Sequence, residues 1–162
     1  MTDITVRRAG PLDARPIADL LNDVIEVGGT TAYTQPVSAD YIAGRITNGR
    51  RASWHIAEDD SGDLVGFQWI EEIDELPTEA ASIATFARIG RTGLGIGSKL
   101  FAATVKSARD LGYTWINADI RADNEGGLIY YQSRGFEDYG RKTGIKLENG
   151  LIVDKVLKRY DL

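Results

Sequence analysis

The stretch Arg91-Thr92-Gly93-Leu94-Gly95-Ile96-Gly97-Ser98-Lys99 sets glycines at three alternate positions between an extended segment and an amphipathic helical pattern. A chain that enters a helix through such glycines leaves its first-turn N–H groups unpaired and its backbone unshielded by Cβ atoms. The positive helix end adds to this, so the segment attracts an anion, and a diphosphate is its natural guest. Spacing excludes the two commonest nucleotide loops. A P-loop needs Gly-Lys adjacent, whereas Ser98 separates Gly97 from Lys99, and no acidic strand follows to hold magnesium. A dinucleotide fingerprint begun at Gly93 needs glycine or alanine where Ser98 stands, and belongs to the first βα unit of a domain.

Around this loop the patterning predicts a definite order. Ile4-Thr5-Val6-Arg7 alternates as a half-buried strand and stops at Gly10-Pro11. Asp13 is placed to cap a helix carrying Ile17, Leu20, Leu21, Val24 and Ile25, which ends at Gly28-Gly29, and Ser38 to cap a second with Tyr41, Ile42, Arg45 and Ile46. Trp54 to Glu58 and Leu64 to Glu71 read as a hairpin about Asp59-Asp60-Ser61-Gly62-Asp63. An acidic loop, Glu71 to Glu79, precedes a strand at Ala81 to Arg88. A helix from Ser98 to Leu111, a strand from Tyr113 to Arg121, a short helix from Asn124 to Arg134 and strands at Phe136 to Gly140 and Ile152 to Tyr160 complete the chain. The order β, α, α, β, β, β, α, β, α, β, β describes a mixed α/β sheet.

Composition closes off several functions. At 162 residues a single domain over 1–162 is expected, with 43% hydrophobic and 27% charged residues, as in ordinary soluble proteins. There is no cysteine, which removes disulfides, thiolate nucleophiles and zinc ribbons, and His55 is the only histidine, too few for a zinc site or a Ser-His-Asp machinery with other base chemistry. No metal is expected. A net charge of −5 argues against a nucleic-acid partner, and no apolar stretch suggests a leader or a membrane span, so a cytoplasmic protein is expected.

The loop fits another pattern, Q/R-x-x-G-x-G/A, read here as Thr92-Gly93-Leu94-Gly95-Ile96-Gly97 followed by Ser98, with Thr92 where Gln or Arg is usual and Arg91 beside it as a source of charge. Downstream, Asn124-Glu125-Gly126-Gly127-Leu128-Ile129-Tyr130-Tyr131-Gln132-Ser133-Arg134-Gly135-Phe136 matches N-x-x-A-x-x-(F/L)-Y-x-x-x-G-F, with Gly127 in place of alanine. In both motifs, and in element order, the chain resembles the GCN5-related N-acetyltransferase (GNAT) superfamily. Thr31 to Ser38 and Ser53 to Glu58 echo its phosphinothricin-type branch.

That resemblance implies a mixed, mostly antiparallel sheet with a central splayed parallel pair, helices on both faces, and acetyl-CoA as co-substrate. The diphosphate would lie on Arg91 to Ser98, with Asn124 and Tyr131 also at the coenzyme, and pantetheine on the backbone around Phe86 and Ala87. A small-molecule amine would attack the thioester directly, so no enzyme nucleophile is needed. Tyr131 matches the family's general acid; Tyr130 is expected to pack. Asn117, Asp119 and Arg121 share one face of their strand, and a polar row on an interior strand suggests a cleft. Asp119 precedes Tyr131 by the spacing of the base and acid in ribosomal-protein alanine acetyltransferases, so it is the leading base candidate. The phosphinothricin branch instead carries a glutamate where Ser82 stands; Glu75, Glu79 and His55 are the other sources of a base. The acceptor pocket is expected from Ile25 to Pro36, the loop Glu71 to Glu79 and the loop Gly140 to Gly150. A homodimer is common among such relatives. A catalytically silent acyl-CoA sensor and a nucleotide-phosphate binder are the competing functions.

Overall fold

The computed structural model describes residues 3–91 and 95–162. Among these the elements are β1 (Thr5–Arg8), a 3-10 turn (Pro11–Asp13), α1 (Ala14–Val27), α2 (Ala39–Asn48), β2 (Ser53–Glu58), β3 (Leu64–Glu71), β4 (Ala80–Ala87), α3 (Ile96–Asp110), β5 (Trp115–Arg121), α4 (Glu125–Ser133), β6 (Glu137–Lys146) and β7 (Ile152–Asp161). The expected order is the one found. The strands form one sheet in the order β1-β2-β3-β4-β5-β7-β6, antiparallel throughout except for the parallel pair β4 and β5.

That pair is short. Ala80, Ala81 and Ser82 register with Trp115, Ile116 and Asn117, and there the two strands part. Beyond Ser82, β4 stays with β3 as far as Ala87, while β5 stays with β7 as far as Arg121. The sheet therefore opens at its centre.

Strand alternation sends side chains to two separate cores. On one face Ile17, Leu20 and Leu21 of α1 and Ile42 of α2 bury against Trp54, Ile56, Phe67 and Trp69, whose aromatic rings stack, with Trp54 and Trp69 centroids 4.3 Å apart. On the other, Phe101, Val105 and Ala108 of α3 cover Ile70, Ile83 and Ile116. Gly66 lets the start of α3 come this close, since a Cβ there would stand 2.8 Å from Ile96 Cγ2 and 3.1 Å from the Phe86 carbonyl oxygen.

Local signals mostly act as expected. Ser38 Oγ accepts from Tyr41 N–H at 3.0 Å and caps α2, and Asp59 Oδ1 accepts from the amides of Ser61 and Asp63, each at 3.0 Å, to close the β2–β3 turn. Three differ. Asp13 stands at the N-cap of α1 but makes no cap bond; its carboxylate turns back to Gly10 N–H at 2.9 Å and to Arg7. Helix α3 begins at Ile96, two residues before Ser98, because Gly95 takes the left-handed φ of +75° that starts it. Strand β6 runs on to Lys146 through the segment expected as a loop from Gly140. It pairs only with β7, and nearly all of it is exposed, so no apolar alternation marks it in the sequence.

Candidate active site

Where β4 and β5 part, a cleft of about 910 Å³ opens. Its walls are β4 from Ile83 onward, the turn to Arg91, the first turn of α3, the end of β5, α4 and the α1–α2 loop at Thr30 to Tyr33. Arg88 N–H donates to Val65 O at 2.8 Å, and antiparallel pairing alternates, so the amides of Ile83, Thr85 and Ala87 turn away from β3 into the opening. This is a bare strand edge inside the molecule, to which an extended, amide-bearing chain can add. Of the two residues expected to hold pantetheine, Ala87 presents its backbone there. The backbone of Phe86 turns to β3, and its ring stacks on Phe67 at 5.1 Å between centroids.

At one end of the cleft stands the α3 N-terminus. The first helical bond is Lys99 N–H to Gly95 O at 3.1 Å, which leaves the N–H groups of Ile96, Gly97 and Ser98 without intrahelical acceptors. All three residues and Gly95 line the cleft; Thr92, Gly93 and Leu94 lie outside the described residues. Arg88, Arg91 and Arg134 also line it and make its mouth cationic. Arg134 donates to Ser98 Oγ, Arg88 to Leu64 O at 3.0 Å, and Arg91 lies 3.3 Å from Asp59 in the β2–β3 turn.

Between the parted strands lies Tyr131. Its hydroxyl is 2.8 Å from Thr85 Oγ1, and burial holds its phenol above the ordinary tyrosine range, so it stays protonated. Gln68 Nε2 donates to Thr85 Oγ1 at 2.8 Å and to the Tyr130 hydroxyl at 3.1 Å, and Tyr130 donates to Gly97 O at 2.8 Å. Tyr130 therefore does more than the packing expected of it. It ties α4 to the N-terminal end of α3, against a glycine where a Cβ would stand 2.4 Å from its ring.

The polar row of β5 divides. Asn117 is buried and accepts from the Tyr139 hydroxyl of β6, outside the cleft. Arg121 donates to Thr31 O at 3.1 Å and to Asp123, pinning the α1–α2 loop. Asp119 lines the cleft, and its carboxylate meets Lys142 at 2.9 Å and Lys155 at 3.6 Å, not Arg121. Asn124 also lines it, but its amide accepts from Gly127 N–H at 3.0 Å and donates to Thr30 O at 3.0 Å; it caps α4 and holds the same loop.

The model of the Acetyltransferase (GNAT) family matches residues 19–136, most of the chain and every residue lining the opening but Lys155. The chain belongs to this family. Its acetyltransferase fold extends past the matched segment. A curated relative from Bacillus subtilis (strain 168), "Putative phosphinothricin acetyltransferase YwnH", is 27% identical over 98% of this chain and 95% of its own length. A GNAT superfamily phosphinothricin acetyltransferase from Sinorhizobium meliloti, solved in complex with acetyl-CoA, superposes with a TM-score of 0.87 at 20% identity, over 98% of this chain and 88% of that one. A ribosomal-protein-alanine N-acetyltransferase from Brucella melitensis superposes almost as well, with a TM-score of 0.85 at 20% identity over 98% and 99% of the two chains. Structures named for phosphinothricin and for ribosomal-protein alanine thus share one scaffold, so the fold alone does not set the acceptor.

Within this GNAT site the expected acceptor loops are partly corrected. Thr30 to Tyr33, together with Val24, Val27 and Trp69, line the cleft. The loop from Glu71 to Glu79 does not: Glu72 and Asp74 are drawn to Arg50 and Arg51 at the far end of β4, which removes Glu75 and Glu79 from contention as bases. The segment from Gly140 does not line it either, being strand. His55 is buried under α3, 3.5 Å from Ser107 Oγ, and burial lowers its pKa; it too lies outside the cleft. Gln68 and Thr85 escaped the sequence reading. The signal available was a glutamine between Phe67 and Trp69 in a strand otherwise apolar on both faces up to its last residue, Glu71.

Proposed function

We propose that the protein transfers the acetyl group of acetyl-CoA to the primary amine of a small molecule, an amino acid or an amino-acid analogue, by direct attack in a ternary complex. The observation that carries this is one continuous cleft with unpaired helix amides at one end, a bare strand edge along its length and a buried tyrosine hydroxyl at its centre. Each part suits one piece of the coenzyme. The α3 N–H groups take the diphosphate, with Arg134 adding charge. The edge of β4 takes the pantetheine amides as a further strand. The carbonyl and sulfur then fall near Tyr131.

The amine nitrogen adds to the thioester carbonyl, and the C–S bond breaks with its electron pair going to sulfur. Tyr131, kept protonated by burial, supplies the proton that makes the thiol the leaving group. Asp119 takes the ammonium proton through water from the other wall, its carboxylate held in place by Lys142 and Lys155. The phosphinothricin-type relative supports a small acceptor, which would sit in the part of the cleft lined by Trp69 and Tyr33. Replacement of Tyr131 by phenylalanine tests the reading. In Tyr131→Phe, kcat for acetyl transfer should fall by roughly 10²–10⁴-fold while coenzyme affinity stays near wild type. Unchanged turnover would remove the tyrosine from the chemistry.

A further inference from the structure

The hydroxyl of Tyr131 is not alone in the opening, and its neighbours fix which way its proton points. The Gly97 carbonyl can only accept, and Tyr130 has one proton, which goes to it over 2.8 Å. The Tyr130 oxygen therefore has to accept from Gln68 at 3.1 Å, and this turns the amide so that its NH₂ group faces the tyrosines and its oxygen faces away. The buried Oε1 is left with no partner among the described residues. An arrangement that leaves a buried carbonyl bare is costly, and its benefit is two N–H donors on one side. The second of these goes to Thr85 Oγ1 at 2.8 Å.

We infer that Gln68 and Thr85 are positioning residues for the transfer, a one-way relay in which Gln68 donates to Thr85, Thr85 donates to Tyr131, and the Tyr131 proton is left to point into the cleft. The inference rests on the reading of Tyr131 as the acid. Either oxygen of the 2.8 Å Thr85–Tyr131 contact can donate, but among the described residues the Tyr131 oxygen is the one acceptor within reach of the Thr85 proton, since Gln68 Nε2 only donates, and we assign the donation to Thr85. When the C–S bond breaks, sulfur takes the electron pair and the Tyr131 proton. The phenolate left behind keeps the hydrogen bond from Thr85 and is reprotonated by the second proton that the nitrogen gives up as the amide forms, the first having gone to Asp119. No group outside acetyl-CoA and the amine is consumed. Tyr130 is the ionisable group that acts electrostatically on Tyr131, with Arg134 acting in turn on Tyr130. Gln68 on β3 and Thr85 on β4 are neutral, so the relay works through direction of donation and not through charge.

A double-mutant cycle separates this from a merely structural role. The substitution Thr85→Val keeps the shape and removes the donor; Thr85→Ser keeps the donor. With acetyl-CoA and an amine that turns over, Thr85→Val should lower kcat by about tenfold or more, with coenzyme affinity by calorimetry changed by no more than about twofold, and Thr85→Ser should restore most of kcat. Placed on Tyr131→Phe, Thr85→Val should cost nothing further. Should Thr85→Val not yield folded protein, Thr85→Ala carries the same arm. Wild-type kcat in the valine variant, or an equal loss with and without the Tyr131 hydroxyl, overturns the relay while leaving the acid in place. Wild-type kcat in Tyr131→Phe alone overturns the acid and the relay together.

Discussion

Gly97 has two neighbours with opposite demands. It lines the cleft at the start of α3, and its α-carbon faces the ring of Tyr130, so close that an added Cβ would stand 2.4 Å from Cε1 and 3.1 Å from Cζ. The third glycine of the loop thus serves packing, beside the phosphate approach proposed for it. Tyr130 cannot retreat without breaking its bonds to Gly97 O and Gln68. Gly97→Ala is therefore expected to destabilise the fold by about 1–3 kcal/mol, the usual range for an overpacked site. Urea unfolding should show a lower midpoint at an unchanged slope, and a midpoint equal to wild type would mean that the ring moves freely. Gly127 repeats the theme: a Cβ there would meet Asn124 Nδ2 at 2.5 Å, which accounts for glycine where the motif usually has alanine. These contacts were not legible in the sequence. A motif names the glycine, but which tertiary neighbour requires it depends on a helix 33 residues along the chain, as the Tyr130 to Gly97 bond spans.

At the scale of elements, legibility followed burial. Strands β2 and β3 and helix α3 bury whole faces, and their apolar periods gave type and near-correct limits. Strand β6 buries almost nothing; its pairing with β7 is backbone work, so Gly140 and Gly144 in a polar run looked like a loop. The acidic segment after β3 read as solvated because its partners lie elsewhere in sequence. Beside Arg50, which holds Asp74, the main partner is Arg51, at a left-handed φ of 45°. Its guanidinium donates to Glu72 at 2.9 Å, to Leu111 O at 3.1 Å and to Thr78 O, and lies 4.1 Å from the Tyr113 ring centroid, while the Tyr113 hydroxyl donates back to Arg51 O at 2.8 Å. One side chain thus joins the α2–β2 turn, the β3–β4 loop and the α3–β5 turn. Arg51→Ala should cost about 2–3 kcal/mol, more than a surface ion pair, because carbonyls and a ring lose their partner together. Coenzyme affinity should be untouched, since the clamp lies at the far end of β4 from the cleft. Denaturation with and without CoA checks both halves, and a loss of affinity equal to the loss of stability would count against that separation.

For the whole molecule, the decisive feature is that two strands begin as neighbours and finish apart. Three registered pairs hold β4 to β5; everything after them belongs to other partners, and the space between becomes the cleft. The antiparallel bias of the sheet and this splay followed from the family resemblance, whereas the order of elements spoke only for a mixed α/β sheet. Charge is distributed to match: the chain is −5 overall, yet Arg88, Arg91 and Arg134 gather at the mouth where an anionic coenzyme enters. The most direct test is amide mapping by NMR during titration with acetyl-CoA. Shifts should concentrate on Ile83, Thr85 and Ala87, whose N–H groups face the opening, and on Ile96, Gly97 and Ser98 at the start of α3, with Ala84 and Phe86 moving less because β3 already holds them. Shifts spread over the β6–β7 hairpin, or none at saturating coenzyme, would contradict a donor site between the parted strands.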